Sequence, residues 1–214
     1  MWLGPAAVVT CFLLGGIPAG LLIARAYGIA DIRLYGSGNI GASNVLRTIG
    51  IKPALLVWLV DITKGAVPTI AAGMLLPNEQ WWYSASAFAT VMGHCFSPYL
   101  GFRGGRGVAT GLGIMIAVEW RAGLLAFALW IVLTAITRYI SLSSVLAALS
   151  CTPLYLLLAD WSIPLLLCVI LMGLLITVRH VPNIRRLLAG EEHKIGQSVK
   201  TGDNTIGGKL HVHR

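Results

Sequence analysis

Seven long runs that are nearly free of charged residues most constrain what this chain can fold into. Of its 214 residues, 57% are hydrophobic and 11% are charged, whereas soluble domains carry about 25% charged residues. A helix of roughly 20 apolar residues crosses the ~30 Å hydrocarbon core of a bilayer. The runs cover residues 4–24, 53–76, 82–100, 107–118, 122–137, 141–159 and 162–178. They predict an all-α, polytopic integral membrane protein with about seven transmembrane helices.

The fourth run, residues 107–118, is the shortest of the seven. As a helix it would cover about 18 Å, so it predicts a thinned, tilted or re-entrant element whose backbone is sheltered by protein or water. The first run has no basic residue before it, and Arg25 follows it. It is therefore interpreted as a permanent span and not as a cleaved signal peptide.

The basic residues predict the orientation in the membrane. With seven spans, fourteen of the sixteen Lys and Arg residues lie in segments on the same side of the membrane. These segments are the loops at 25–52, 101–106 and 138–140 and the tail from residue 179. The two exceptions are Lys64 and Arg121. The positive-inside rule then places the amino terminus outside and the carboxyl terminus in the cytoplasm. Without the short fourth run, the basic loops would no longer share a side.

The stretch "GSGNIGASNVLR", residues 36–47 and here named the glycine loop, contains a G-x-G-x-x-G pattern. A dinucleotide-binding fingerprint of this kind requires a preceding strand and a βαβ unit, with an acid on the next strand. Here membrane runs flank the pattern, and the acid at the expected distance, Asp61, lies inside the second run. The sequence instead predicts a cytoplasmic loop of glycine and small polar residues that ends in Arg47.

A second loop, "GFRGGRG" at residues 101–107 and here named the arginine loop, places Arg103 and Arg106 among four glycines just before the short run. Glycines let backbone N–H groups approach a ligand, and a helix start offers unpaired N–H donors. No Lys-Ser or Lys-Thr pair closes a Walker A loop here. Alternatively, the glycines ease helix packing and the arginines only orient the protein. Two such loops on one side favour binding of phosphate or another anion.

Polar residues in and beside the spans add further candidates. Asp61 and Lys64 in "DITKG" share one helix face inside the second run, either as a structural ion pair or as a ligand contact. Ser141 and Ser144 in "TRYISLSS" stand at the start of the sixth run, where serines also cap helices. His94 in "MGHCF" is either a packing histidine or a site residue.

The stretch "RHVPNIRRLLAGEEHK", residues 179–194, combines His180 and Asn183 with three arginines. An amphipathic basic helix on anionic lipid explains the arginines. It explains His180 and Asn183 less readily, so these two residues are site candidates.

Several chemistries lack support in the sequence. Cys11, Cys95, Cys151 and Cys168 lie in or beside apolar runs without C-x-x-C spacing and are interpreted as small buried hydrophobes, not as disulfide or zinc residues. Tyr35 replaces the first glycine of a G-x-S-x-G elbow around Ser37. His94 lacks the aspartate that thioester-dependent acyltransferases place after their histidine. Glu191 and Glu192 form the only close carboxylate pair in the cytoplasmic segments, which argues against magnesium-dependent phosphoryl transfer.

Taken together, the motifs resemble the bacterial acyl-phosphate:glycerol-3-phosphate acyltransferases. "GSGNIGASN", "DITKG", "GHCFSPYLGFRGGRGVAT", "RYISL" and "RHVPNIRRLLAGEEH" occur in family order between about residues 11 and 194. The resemblance implies a seven-span fold in the bacterial inner membrane with an active site open to the cytoplasm. It implies transfer of a fatty acyl group from acyl phosphate to the 1-hydroxyl of sn-glycerol 3-phosphate, which gives lysophosphatidic acid, the first step of phospholipid synthesis. Membrane lipids, but no cofactor, metal, nucleic acid or obligate protein partner, are expected besides the substrates.

The resemblance also implies roles for individual residues. Positions that would hold glycerol 3-phosphate and orient its hydroxyl, and are predicted as catalytic, are Ser37, Arg47, Arg106, His180 and Asn183. Positions predicted to bind substrate are Gly38, Asn39, Asn44, Lys64, His94, Gly104, Gly105, Gly107, Thr110, Ser141 and Ser144. Of these, the ones that would cradle acyl phosphate are Asn39, Gly104, Gly105, Gly107 and Thr110. Arg106 stands where the family usually has lysine, and its forked guanidinium can bind phosphate bidentately.

The expected mechanism is direct attack by the glycerol hydroxyl, because an acyl phosphate is already activated. The substrate's own phosphate would accept the proton, and the protein would supply position and positive charge. The expected organisation is one transmembrane acyltransferase domain, residues 1–194, followed by a polar, disordered tail, residues 195–214.

Two other functions are considered. A transporter of small phosphorylated anions would show inverted repeats, and none is evident. A scaffold that only binds anionic lipid accounts for the net charge of +8 but not for Lys64, His180 and Asn183.

Overall fold

The structure, a computed structural model, describes residues 2–160 and 162–196, so most of the predicted tail lies outside the described residues. Every regular element in these residues is a helix, which confirms the all-α prediction. The α-helices are α1 (Leu3–Gly16), α2 (Ala19–Ala26), α3 (Ala42–Thr48), α4 (Ile51–Leu75), α5 (Gln80–Cys95), α6 (Val108–Val118), α7 (Trp120–Thr137), α8 (Ile140–Leu158), α9 (Ile163–Arg179) and α10 (Val181–Leu188). Short 3-10 turns cover Ile32–Leu34 and Pro98–Leu100.

Not every apolar run forms a helix that is long enough to cross a bilayer. Within the described part of the chain, four stretches pass that test: Leu3–Ala26, Ile51–Leu75, Trp120–Thr137 and Ile140–Leu158. A fifth is added if α9 and α10, which meet at a bend of 55°, count as one span. The remaining two runs form α5 and α6, of which α6 has only 11 residues and covers about 16 Å. All seven runs are helical, but the number of seven spans and the orientation stay predictions.

The first span is broken at Ile17 and Pro18, between α1 and α2. Proline lacks an N–H group and cannot continue the helical ladder, and carbonyls freed in apolar surroundings need other donors. Ser97 Oγ donates to the Gly16 carbonyl at 2.6 Å, and Lys64 Nζ donates to the Ile17 carbonyl at 2.7 Å. The break therefore ties the first span to α4 and to the loop that follows α5.

Close backbone contact holds α6 against α4. A Cβ added to Gly65 would overlap the Thr110 carbonyl oxygen, and one added to Gly113 would overlap the Ile62 carbonyl oxygen. Small residues at such contacts let membrane helices approach closely. The start of α6 is consequently fixed against the α4 segment that carries Asp61 and Lys64.

The apolar core of the described residues lies in three parts. The largest part joins helices α5, α6, α7, α8 and α9 around Met115 and Met172. A second part lies beneath the glycine loop, around Ile32 and Val45. A third, small part joins α1, α4 and α5 around Cys11. All four cysteines are buried, which confirms their interpretation as small buried hydrophobes.

Candidate active site

Asn44 organises the glycine loop from within. Its Nδ2 lies 3.2, 3.0 and 2.8 Å from the carbonyl oxygens of Ile32, Tyr35 and Asn39, and its Oδ1 accepts from the Ser37 N–H at 2.7 Å. Because these polar atoms serve the loop itself, Asn44 mainly positions its neighbours. Its predicted contact with substrate stays a prediction.

The arginine loop is held from outside by two helices. The N–H groups of Gly104 and Gly105 donate to the carbonyls of Cys95 and His94 at 3.1 and 2.9 Å, which lie at the end of α5 where intrahelical donors are lacking. Arg179, at the end of α9, donates to the carbonyls of Gly105 and Gly104 at 3.0 Å each. These N–H groups are engaged with α5 and fix the loop, which disfavours the predicted role of Gly104 and Gly105 in cradling acyl phosphate; that role stays a prediction.

Free donors lie just beyond these glycines, at the start of α6. Gly107 has a left-handed backbone with φ of 86°. The Gly107 carbonyl accepts from the Gly111 N–H at 2.6 Å, which begins the helical hydrogen bonds of α6. The first N–H groups of a helix lack intrahelical acceptors and carry partial positive charge. Thr110 Oγ1 is buried and has no hydrogen-bond partner in the described residues. Arg106 and Gly107, which line the cavity, thus lie at a helix start that is suited to an anion.

One cavity joins both loops, with a volume of about 1070 Å³ including its open mouth. Its polar end is lined by Ser37, Asn39, Ser43, Asn44, Asp61, His94, Arg106, Ser144 and His180. These side chains come from the two loops, α4, α5, α8 and the end of α9, so residues that are far apart in sequence meet at one place.

The same cavity continues as an apolar limb between α6, α7, α8 and α9. The limb is lined by Met115, Ala126, Phe127, Trp130, Ala147, Ala148, Cys151, Met172 and Ile176. The ring of Trp58 on α4 lies 5.5 Å from that of Phe127, which lies 6.0 Å from that of Trp130. Trp130 Nε1 donates to Ser144 Oγ at 3.1 Å, where the two ends of the cavity meet. The limb offers an apolar channel that could take a hydrocarbon chain.

The polar end carries excess positive charge. Burial lowers the pKa of Arg106 to about 10; the negative charge of Glu192 opposes this, and the positive charges of Arg186, Arg47 and Arg179 add to it. Burial also lowers the pKa of Arg47. A group with a pKa near 10 stays protonated at neutral pH. Arg47 does not line the cavity, but its charge acts on Arg106, so both predicted arginines belong to one electrostatic site.

Glu192 is a central residue that the sequence did not single out as a site residue. Its Oε1 accepts from Ser141 Oγ at 2.8 Å and from Asn183 Nδ2 at 2.7 Å, and its Oε2 accepts from Arg186 Nε at 2.8 Å. Burial alone would raise the pKa of Glu192, but the hydrogen bonds from Asn183, Ser141 and Arg186 together lower it. The signal in the sequence was a carboxylate that directly follows a basic helix.

The Glu192 contacts change how two predicted ligands are understood. Ser141 Oγ donates a hydrogen bond to Glu192, which disfavours its predicted contact with substrate; that contact stays a prediction. Asn183 keeps one atom, Oδ1, that is buried without a partner in the described residues. Ile195, which was counted in the predicted tail, exchanges hydrogen bonds with Arg138 through its N–H and its carbonyl and so holds this segment against the start of α8.

His180 lies at the bend between α9 and α10 and lines the cavity. Its Nδ1 lies 2.8 Å from the Ile176 carbonyl oxygen. A carbonyl can only accept, so Nδ1 carries a proton. Burial lowers the pKa of His180 to about 4, so the ring is neutral at pH 7 and Nε2 carries the lone pair. His180 is thus prepared to accept a hydrogen bond from a hydroxyl group.

Lys64 forms the structural ion pair that the sequence left open. Its Nζ lies 2.8 Å from Asp61 Oδ1 and donates to the Ile17 carbonyl. This engagement disfavours the predicted contact of Lys64 with substrate. His94 Nδ1 lies 3.7 Å from the same Asp61 oxygen.

Comparison with known proteins assigns the family. Residues 5–190 match the family model described as glycerol-3-phosphate acyltransferase. The chain belongs to this family. A glycerol-3-phosphate acyltransferase of Synechococcus sp. (strain JA-3-3Ab) is 46% identical over 186 residues, which cover 87% of this chain and 90% of the relative. The Aquifex aeolicus (strain VF5) protein of the same name is 40% identical over 187 residues, 87% of this chain and 96% of that one.

Solved structures of a glycerol-3-phosphate acyltransferase share the fold. PlsY (YgiH), an integral membrane glycerol 3-phosphate acyltransferase in its glycerol 3-phosphate form, superposes with a TM-score of 0.86 at 38% identity, over 90% of this chain and 96% of that one. Its lysophosphatidic acid form gives 0.84 at 37% identity, over 90% and 95%. The family resemblance that the motifs carried is confirmed.

The predicted site residues of this acyltransferase fall into three groups. Those that line the cavity are Ser37, Asn39, Asn44, His94, Arg106, Gly107, Ser144 and His180. Three residues lie beside it and interact with Glu192: Ser141 and Asn183 donate hydrogen bonds to its carboxylate, and Arg47 interacts with its charge. Those that do not line it are Gly38, Lys64, Gly104, Gly105 and Thr110. Sequence reasoning missed Arg179, Glu192 and the whole apolar limb.

Proposed function

We propose that this protein transfers a fatty acyl group from acyl phosphate to the 1-hydroxyl of sn-glycerol 3-phosphate, giving lysophosphatidic acid and phosphate. The observation that carries the proposal is a single cavity with a positively charged polar end and an apolar limb. Phosphate groups and an acyl chain can then lie side by side. The solved PlsY structures, a glycerol 3-phosphate form and a lysophosphatidic acid form, support the same acceptor and product.

The proposed setting is the bacterial inner membrane, with seven spans, the amino terminus outside and the active site facing the cytoplasm. The distribution of Lys and Arg supports this orientation. The short helix α6 is sheltered by its contact with α4, as a span too short to cross the bilayer alone would require. Residues 1–194 would form one acyltransferase domain.

In the proposed reaction, the 1-hydroxyl oxygen of glycerol 3-phosphate forms the ester bond to the acyl carbon. The bond from that carbon to the phosphate oxygen of the acyl phosphate breaks, and inorganic phosphate leaves. The proton of the 1-hydroxyl passes to a substrate phosphate. His180 Nε2 would accept a hydrogen bond from the 2-hydroxyl of glycerol 3-phosphate and so orient the acceptor, which leaves the single proton of the 1-hydroxyl for the phosphate. Arg106 and the N–H groups at the start of α6 would stabilise the charge on the departing phosphate.

Transport of phosphorylated anions finds less support. Beyond Met115 and Cys151 the interior continues as an apolar core around Tyr155, Cys168 and Val169. A polar solute would have to cross this apolar core, whereas an acyl chain can lie against it.

One assay tests the proposal. Purified protein receives labelled glycerol 3-phosphate together with acyl phosphate, acyl-CoA or acyl carrier protein in parallel reactions. Labelled lysophosphatidic acid from acyl phosphate alone is the expected result. Product from a thioester alone would overturn the proposed donor, and uptake into sealed vesicles without any product would favour the transporter.

A further inference from the structure

Three ionisable side chains lie buried beneath the arginine loop. Asp61, Lys64 and His94 are 4%, 8% and 4% exposed. Ionisable groups at membrane depth are costly, and they usually have a functional reason. The direct chemistry described above uses none of the three.

Contacts among Asp61, Lys64 and His94 form a network that begins at the break in the first span. Lys64 binds the Ile17 carbonyl at 2.7 Å and Asp61 Oδ1 at 2.8 Å. Asp61 therefore has a fixed position on the side of α4 that faces α5. The same Asp61 oxygen lies 3.7 Å from His94 Nδ1, and His94 Nδ1 has no hydrogen-bond partner in the described residues. A shift of about 0.7 Å would bring this pair to an ordinary N–H···O distance near 3.0 Å.

The network ends at the arginine loop. The His94 ring lies directly against Gly105, where an added Cβ would overlap Nε2. The His94 carbonyl accepts from the Gly105 N–H at 2.9 Å. Both the backbone and the ring of His94 thus support the residue that precedes Arg106.

We propose that Asp61, held by Lys64, is a positioning residue: it orients the His94 ring under Gly105 and thereby sets Arg106 and the start of α6 for the phosphate of the acyl donor. The inference rests on the proposed function for its substrate. It assigns Lys64 and His94 to the support of the anion site and not to direct contact with glycerol 3-phosphate.

The competing explanation is an ion pair that serves stability alone. Replacing such a buried pair with apolar residues of similar size is often neutral or stabilising, whereas removing one partner is strongly destabilising. Double variants can therefore separate positioning from stability.

The test compares two double variants that both lack Lys64. Asp61→Asn/Lys64→Met keeps an oxygen that can accept from His94, and Asp61→Leu/Lys64→Met removes it with similar volume. In the parent the Ile17 carbonyl also accepts from the Ala19 N–H at 3.0 Å, so it should keep one donor when Lys64 is replaced. Thermal unfolding, kcat and KM for each substrate, and the rise in Tm caused by inorganic phosphate are measured for the parent and both variants.

The positioning role predicts similar Tm values for the two doubles. Compared with Asp61→Asn/Lys64→Met, the variant Asp61→Leu/Lys64→Met should have at least a tenfold lower kcat/KM for acyl phosphate and a smaller phosphate-induced rise in Tm. The KM values of the two double variants for glycerol 3-phosphate should agree within about threefold. Equal kcat/KM and equal phosphate response would overturn it. A parent that forms no product from acyl phosphate would reject the proposed function, and the phosphate response would still decide the positioning role.

A single variant covers the case in which the leucine double does not fold. His94→Leu keeps the ion pair of Asp61 and Lys64 and removes the ring nitrogens. The same selective loss of kcat/KM and of phosphate response is expected, and unchanged values for both would overturn the inference.

Discussion

The two ends of the cavity are built in different ways. Hydrogen bonds shape the polar end: Asn44 folds the glycine loop, while α5 carbonyls and Arg179 hold the arginine loop. The apolar limb is shaped by side-chain size, with alanines and a cysteine along α8 opposite Met115 and Met172. The shape of the polar end therefore depends on hydrogen-bond geometry and on charge. The shape of the limb depends on side-chain volume. Each kind of substitution should affect one end only.

The largest expected effect is the loss of charge at the polar end. Arg106→Ala removes a charge-assisted contact to phosphate and should lower kcat/KM by roughly 30- to 1,000-fold, or about 2–4 kcal/mol, for acyl chains of every length. Arg47→Ala should also disable turnover. Steady-state kinetics in detergent, with Tm as the check on folding, measures this.

Arg103→Ala is the matched control because Arg103 is an exposed arginine of the same loop. Its rate should stay near that of the parent. Near-normal rates in both Arg106→Ala and Arg47→Ala would contradict the electrostatic role of the polar end.

The next effect concerns the stability of the glycine loop. Asn44→Ala removes several buried hydrogen bonds and should lower the free energy of unfolding by about 2–3 kcal/mol. Asn39→Ala, which removes a single bond to the Gly41 N–H, should cost about 1 kcal/mol. Thermal unfolding and limited proteolysis of the loop compare the two. Equal losses would show that Asn44 does not organise the loop.

A volume change should affect the limb alone. Ala148→Phe fills the channel and should lower kcat/KM for long-chain acyl phosphates about tenfold, while short-chain donors keep most of their rate. Leu149→Phe, at the exposed neighbouring position, is the control. Competition between long and short donors gives the ratio directly. An unchanged ratio in Ala148→Phe would mean that the acyl chain lies elsewhere.

The smallest effect is a pH dependence that only the polar end should show. Because the folded protein lowers the pKa of Glu192, its contribution to stability is complete above the unfolded value of about 4.3 and is lost as pH falls through the folded value. The Tm of the parent should therefore fall more steeply below about pH 5 than that of Glu192→Gln. Parallel curves would remove Glu192 from the electrostatic balance.

The sequence predicted the polar end far better than the limb. Polar residues are rare in an apolar chain, so Arg106, His180 and the glycine loop are conspicuous in the sequence itself. Membrane helices are apolar on every face, so nothing marked Ala148, Cys151 or Met172 as lining a cavity. All seven apolar runs form helices, but α5 and α6 are too short to count as spans by length alone.

The predictions at the polar end that the observed contacts disfavour, and the residue that was missed, share a physical cause. Gly104 and Gly105 were expected to offer their N–H groups to a ligand, but these groups bind the carbonyls that end α5. Lys64 was expected to contact substrate, but it binds a carbonyl at a helix break. Glu192 was missed because one partner, Ser141, is 51 residues away and the other, Asn183, is brought to it only by the turn that follows α10. Each case depends on which helix end lies nearby, and this is a property of the packed structure.

The most direct test is a structure of the protein with glycerol 3-phosphate and an acyl phosphonate that cannot react. Both phosphorus groups should lie at the polar end near Arg106 and the start of α6, with the acyl chain in the limb beside Ala148 and Met172. A chain bound outside α6 to α9, or a phosphonate distant from Arg106, would contradict the account.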